Sequence, residues 1–346
     1  MTTPDGEVKG RPMSHPQWVV PGGRVRIEGP SLPTRPNGPP HVLVGTSPAR
    51  VLSSSSTHLH IKVPLDVEGG PMTMGILPDE VVLGEVLVGR QIATGIHQVD
   101  NPVFDGLGRL YLTHSGSRGV RVPVPIYRLR ADGVREPVAV ELANPTSIAL
   151  GPDGDLYVSS RFEGQVYRLT ADDQIEVYAS DLGVATGLAF GRDGALYVGD
   201  RSGTVFKISR DRQVEPFATL PPSVAAFHLA FGPDDCLYIA APTLASHDPI
   251  YRVTPDRLVD VVCDGFGRPQ GLAFDAAGSL YVVDALAGAS GVYRIDVSQP
   301  TRSPECVLTS PALVGIAFDP EGGLVVASSD TVWRLDVPLK PLASRP

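Results

Sequence analysis

One short segment recurs six times along this chain: NPVFDGLGRLYLT (101–113), TSIALGPDGDLYVS (146–159), TGLAFGRDGALYVG (186–199), FHLAFGPDDCLYIA (227–240), QGLAFDAAGSLYVV (270–283) and VGIAFDPEGGLVVA (314–327). The last apolar residue of its first half falls at Phe104, Leu150, Phe190, Phe231, Phe274 and Phe318. Each copy reads as a short strand, a tight Asp/Gly-rich turn whose glycine tolerates positive φ, and a second strand. A variable loop leads to a third strand (IYRL, VYRL, VFKI, IYRV, VYRI, VWRL), and most copies end on a fourth such as IEVYAS (175–180) or VEPFAT (214–219). Four antiparallel strands every ~40–45 residues specify a propeller blade, and six copies suit a closed ring.

The ends fit that ring. The sixth copy stops after its third strand at Leu335, and the tail 337–346 offers no fourth. A matching strand precedes the first copy as GEVLVGRQIAT (84–94), so the last blade is expected to borrow it, which removes an exposed sheet edge. The expected propeller therefore spans 84–336. Residues 17–80 read as short alternating strands with frequent turn signals, the pattern of a small sandwich. The fold class expected is all-β, a β-sandwich followed by a six-bladed β-propeller.

Within 17–80, the GG-x-V-x-I-x-G opening at Gly22–Gly29, the VLVG-x-x-P-A-x-V centre at Val42–Val51 and the IKVP-plus-GG ending resemble the IPT/TIG family of immunoglobulin-like domains. That resemblance implies an Ig-like interaction or spacer module. The propeller copies resemble NHL repeats and, more broadly, the SMP-30/gluconolactonase-like superfamily, over residues 84–336. A shared propeller implies fold more strongly than activity.

Composition narrows the partners. A formal charge of −9 argues against nucleic acid and anionic membranes, which want basic surfaces. The polar opening, residues 1–16, reads as a disordered tail and not as a signal peptide, and no apolar run is long enough to span a membrane. Three cysteines without CxxC spacing (Cys236, Cys263, Cys306) suit reduced thiols and a cytoplasmic location. The expected partner is a small-molecule ligand or a protein.

Antiparallel connectivity puts the longer loops, 114–125, 241–249 and 284–290, on one face around the channel, where ligands are expected. The gluconolactonase resemblance implies one divalent metal there, calcium or zinc, held four residues before each first-strand marker. The positions so reached are Asp100, Thr146, Thr186, Phe227, Gln270 and Val314. One carboxylate with two hydroxyls and an amide is a poor set for a hard cation, and Asp100 reads sooner as a hydrogen-bonding partner of the turn before Pro102. Asn101 and Asn144 lie near enough to join in another register.

His228 occupies a place that is Val103, Ser147, Gly187, Gly271 or Gly315 in the other copies. It reads either as a space-filling core histidine or as a general base on the channel wall. The register puts Asp100 and His228 in opposed blades, facing each other across the axis. His97 and His114 are lesser candidates of the same kind. Arg118, Arg121, Arg161 and Arg201 occupy loops of the first three copies, and Asp248, Asp284 and Asp330 those of the last three. They read as solvated charge, or as a polarised face whose basic half attracts an anionic ligand. The third-strand cations recur once per copy and read as scaffold. Two functions follow: a lactonase-type hydrolase using Asp100 and His228, or a non-catalytic NHL-like interaction scaffold.

Overall fold

The computed structural model describes residues 13–35, 38–78, 81–286, 288–299 and 303–342. Every regular element among them is a strand. No helix is long and apolar enough to cross a membrane, which says nothing of strands. The chain divides into two compact units, residues 1–89 with 307–311, and residues 90–306 with 312–346.

The larger unit is a β-propeller arrangement. Five four-stranded sheets stand separately in it. The second repeat is typical: Pro145–Leu150, Leu156–Ser160, Gln165–Leu169 and Ile175–Ala179 pair antiparallel in sequence order. In the fifth repeat, Pro269–Phe274, Leu280–Asp284 and Gly291–Ile295 follow the same order. Its fourth strand, Glu305–Thr309, runs into residues 307–311 of the smaller unit, so this repeat is not a separate four-stranded sheet.

The sixth repeat is completed by a strand from before the first. Arg90–Thr94 pairs antiparallel with Thr331–Leu335, with Thr94 opposite Thr331 and Ala93 opposite Val332. This strand is shorter than the 84–94 run expected. Residues 84–88 lie instead in Val81–Val88, paired with Gly70–Leu77 in the smaller unit. The run divides at Gly89, whose N–H is taken by the Val19 carbonyl.

Alternation along each second strand builds the blade-to-blade core. In the LYV-type sequence, the first and third residues face the preceding blade while the tyrosine faces the next. Tyr157 meets Phe190 edge to face with ring centroids 4.8 Å apart. The contact repeats as Tyr197 on Phe231 at 5.0 Å, Tyr238 on Phe274 at 4.9 Å and Tyr281 on Phe318 at 5.1 Å. Each such pair contributes about 0.5–1.5 kcal/mol beyond its buried area. The third-strand cations are braced, in most repeats, by turn carboxylates: Lys207 by Asp193 at 2.7 Å, Arg168 by Asp155 at 2.6 Å, and Arg334 by Asp319.

The smaller unit has two ladders that share the strand Ser47–Ser54. Its later half pairs with His58–Lys62, which pairs with Arg24–Glu28; its first half pairs with His41–Val44. Val25, Ile27, Val42, Val44, Leu59 and Ile61 fill the core between them. The unit extends to Gly89, beyond the boundary at 80 expected from sequence. Two expected tails are partly ordered. Residues 1–12 and 343–346 lie outside the described residues, but Ser14 exchanges backbone hydrogen bonds with Glu28, and Leu342 N–H reaches the Phe274 carbonyl.

Near the axis the first strands crowd. A Cβ on Gly271 would collide with the Asn101 carboxamide and lie 2.8 Å from the Gly315 Cα, and one on Gly315 would strike the Asp100 carbonyl. Gly271→Ala should therefore destabilise the chain by about 1–3 kcal/mol, the cost of overpacking. Gly106→Ala, where a Cβ meets nothing within 4 Å, should stay within about 0.5 kcal/mol. Denaturant midpoints of the two variants test this, and equal midpoints would contradict axial crowding.

Candidate functional site

Crowding at the axis fixes what the channel residues do. Ser147 Oγ accepts the Leu188 N–H at 3.1 Å, and Ser159 Oγ donates to the Thr186 carbonyl at 2.5 Å. Thr186 Oγ1 accepts from Phe227 N–H at 3.0 Å and donates to the Gly199 carbonyl at 2.8 Å. Asn101 bridges two further blades: its Nδ2 donates to the Leu272 carbonyl at 2.8 Å and its Oδ1 accepts the Ile316 N–H at 2.9 Å. These polar side chains stitch neighbouring first strands together.

Asp100 and His228 meet within this crowded centre. His228 Nδ1 lies 2.5 Å from Asp100 Oδ1, and the two side chains are 0% and 3% exposed. The bond spans 128 residues of sequence. The bond is not the turn contact near Pro102 that the sequence allowed; there, Gln98 Nε2 donates to the Asp100 carbonyl at 2.8 Å. A neutral ring that donates Nδ1–H to the carboxylate keeps its lone pair on Nε2. That Nε2 is buried and has no partner among the described residues.

The residues implied by the gluconolactonase resemblance do not fit a hard divalent cation. Thr186 Oγ1 is saturated as above, Thr146 Oγ1 donates to the Asn144 carbonyl at 3.2 Å, and Asp100 Oδ1 is held by His228. Gln270 is buried in the strand Pro269–Phe274. Neither asparagine is free to join: Asn101 is spent between blades, and Asn144 is spent on a loop. Among the described residues, no three His, Cys, Asp or Glu side chains gather.

Asn144 organises the loop-rich face. Held at φ 47° and fully buried, it donates from Nδ2 to the carbonyls of Ser115 (2.5 Å) and Ser117 (2.8 Å). Its Oδ1 accepts the Gly119 N–H at 2.6 Å. This fixes the loop that carries Arg118. Arg161 leans over the same loop, with Nη2 3.5 Å from the Gly116 carbonyl, and Arg201 donates from Nη2 to the Val224 carbonyl at 2.7 Å. Burial, then the charges of Arg201 and Arg118, lower the pKa of Arg161. Arg121, by contrast, is paired with Glu141 at 3.2 Å.

The acidic half of the face is spent internally. Asp284 accepts backbone N–H bonds from Gly267 and Arg268 at 3.1 and 2.7 Å, Asp248 accepts from Thr243, and Asp330 from the Thr94 and Thr331 hydroxyls. Asp200, which the sequence did not single out, holds the Val184 N–H at 2.8 Å in the same manner as Asp284. Its signal was the shared place after the second strand in repeats three and five. His97 and His114 form an isolated parallel bridge with ring centroids 6.5 Å apart. His114 Nδ1 and the hydroxyls of Thr113 and Ser115 are buried without partners among the described residues.

With the geometry in hand, comparison with known proteins is informative about fold. No protein-family profile and no curated protein matches the sequence. Among solved structures, a gluconolactonase from Xanthomonas campestris superposes with a TM-score of 0.61 at 17% identity, covering 88% of this chain and 99% of that one. An auxiliary nutrient binding protein from Bacteroides ovatus gives 0.55 at 14%, covering 94% and 98%. Virginiamycin B lyase from Staphylococcus aureus gives 0.51 at 17%, covering 91% and 99%. This chain has a propeller fold like theirs. Likeness at such identity reaches no further.

His97 offers a check on the electrostatics. Burial, then Arg161, then His114 lower its pKa. Its contribution to stability is thus full above the ordinary histidine value of about 6.5 and declines as pH falls from there through the folded value. Arg161→Gln should raise the His97 pKa while leaving burial in place. An NMR titration of its ring measures this; an unmoved midpoint would show that Arg161 does not act on His97.

Proposed function

We propose that this chain is a six-bladed propeller that takes a small polar or anionic ligand at the loop-rich face of its channel and acts on it as an atypical hydrolase of SMP-30/gluconolactonase type. In this reading the Pro269–Ile295 strands with Glu305–Thr309 count as the remaining blade, and residues 17–80 are an IPT/TIG-like module. The observation that carries the reading is the His228–Asp100 pair. Its carboxylate orients the imidazole and leaves Nε2 unpaired in the interior, the arrangement expected of a general base. A buried polar atom without a partner costs about 1–3 kcal/mol, a cost explained when a ligand or its attacking water supplies the partner. A catalytically inactive histidine-to-alanine variant of virginiamycin B lyase has been solved with quinupristin, which supports the use of a histidine on such a scaffold.

Because the side chains at the implied metal positions are committed elsewhere, this proposal routes no step through a metal: His228 moves the proton, Asp100 holds the ring, and the loop arginines attract the ligand. The alternative, a non-catalytic NHL-like scaffold with the IPT/TIG-like unit as second contact, is favoured by the near-complete burial of the pair and by the commitment of Thr146, Thr186, Asn101 and Asn144 to the framework.

Asp100→Asn and His228→Gln separate the two. Both keep size, so both should fold with a near-normal melting temperature, while turnover of a responsive lactone or ester falls at least about tenfold, equivalent to ~1.4 kcal/mol. Screening a lactone and ester panel with the unmodified chain and both variants supplies the measurement. Full activity in both variants removes the pair from catalysis. So does unfolding of both, which would make the pair a framework element.

A further inference from the structure

Three guanidinium groups from three successive repeats lie near one another on the loop-rich face, with no ion pair to any of them among the described residues. Arg118 lies on the loop 114–125, and Arg161 and Arg201 each follow the second strand of their repeat. Among the described residues, none of the three has a carboxylate oxygen within 4.0 Å, whereas Arg109, Arg121, Arg128, Arg130, Arg168 and Arg192 all do. The arrangement is unfavourable by itself. Arg161 is half-buried, and its two neighbours depress its pKa further; like charges at short range in a partly dry setting raise the energy of the folded state.

The framework nevertheless holds this cluster in place. The buried Asn144 ties down the Arg118 loop through three hydrogen bonds, and its own carbonyl accepts the Arg161 N–H at 3.4 Å. Arg201 is anchored by Ser223 and Val224 carbonyls. Ser115, the residue before the Gly116 whose carbonyl Arg161 approaches, has a buried hydroxyl with no partner among the described residues. Two guanidinium groups anchored on carbonyls, a third on a loop whose backbone is fixed, and a spare hydroxyl, with nearby acids either paired to Arg121 or turned to their own backbone, make an acceptor that lacks its anion.

We propose that Arg118, Arg161, Arg201 and the Ser115 hydroxyl form an acceptor for a dianionic oxyanion group, as carried by a phosphate monoester. This rests on the reading of the loop-rich face as the ligand face and assigns the class of group it takes. Two negative charges answer the charge of the cluster better than one carboxylate. Planar guanidinium forks match tetrahedral oxyanions with paired N–H donors.

The probe is inorganic phosphate, with sulfate as a second dianion and acetate as a monoanion, titrated calorimetrically into the full chain at low ionic strength and pH 8. Phosphate and sulfate should bind saturably with one site and acetate at least about tenfold more weakly. Arg161→Gln and Arg201→Gln should each weaken phosphate binding by about tenfold or more, in line with loss of a charge-assisted bond. Ser115→Ala is a milder variant for use if an arginine variant fails to fold, and it should weaken binding severalfold. Absence of saturable phosphate binding overturns the proposal, as does binding that all three variants leave unchanged, and equal affinity for acetate overturns the dianion assignment. No turnover enters this experiment. Phosphate binding with no activity on any substrate would leave the acceptor standing and remove the catalytic reading; activity without phosphate binding would do the reverse.

Discussion

The edge-to-face contact between the tyrosine of one blade and the phenylalanine of the next is what the rest of this propeller rests on. Each contact fixes the distance between consecutive second and first strands, with centroids 4.8–5.1 Å apart at four successive junctions. Where the pair is incomplete, aliphatic groups fill the same slot: Tyr111 packs in one cluster with Leu150, and Val325 in one with Phe104. The same residues carry the repeat in the sequence, which is why it is so readily seen. A blade can vary its loops and outer strand freely so long as this joint is kept.

With the outer joint fixed, the inner ends of the first strands have little room. Three solutions to this crowding appear. Gly187, Gly271 and Gly315 remove the side chain where a neighbour's backbone presses in. Ser147, Ser159, Thr186 and Asn101 use short polar groups that bond across to the adjacent blade. His228 is the exception, a large ring at a glycine-type position, and it is accommodated because Asp100 comes across to meet it. Space-filling alone would be met by an apolar side chain at lower cost, since a buried imidazole needs two polar partners and here has one.

How much of this was legible follows from what a repeat encodes. Register put Asp100 and His228 at the start of first strands, and the structure brings the two side chains together at 2.5 Å. Register did not tell that Thr146, Thr186, Asn101 and Asn144 are committed to framework hydrogen bonds. Residue type gives the capacity to bond, but the partner depends on the offset between blades, which no single repeat contains. The division of 84–94 at Gly89 was equally hidden, since Gly84–Thr94 reads as one alternating run and both halves pair, with different strands. The expectation of a charged face needed revision in both halves: Asp248, Asp284 and Asp330 are spent on backbone N–H and hydroxyl donors, and among the arginines Arg121 is paired with Glu141.

That asymmetry between the charges has a consequence for the face as a whole. Asp200 and Asp284 occupy the same place in their repeats, and each closes the loop leading into its own first strand. Asp248 and Asp330 do equivalent work with hydroxyl donors. Their charge is spread into hydrogen bonds that the fold requires, so these acids are not available to swing toward Arg118, Arg161 or Arg201. Arg161 and Arg201, one place further along their repeats, have no acceptor role in a turn; each donates to a carbonyl and keeps its charge. A sequence count that balances four loop arginines against the loop acids therefore overstates the compensation. Local geometry sorts the acids into structure and leaves Arg118, Arg161 and Arg201 with no carboxylate oxygen within 4.0 Å among the described residues, so a chain with a formal charge of −9 still carries unpaired positive charge on these loops.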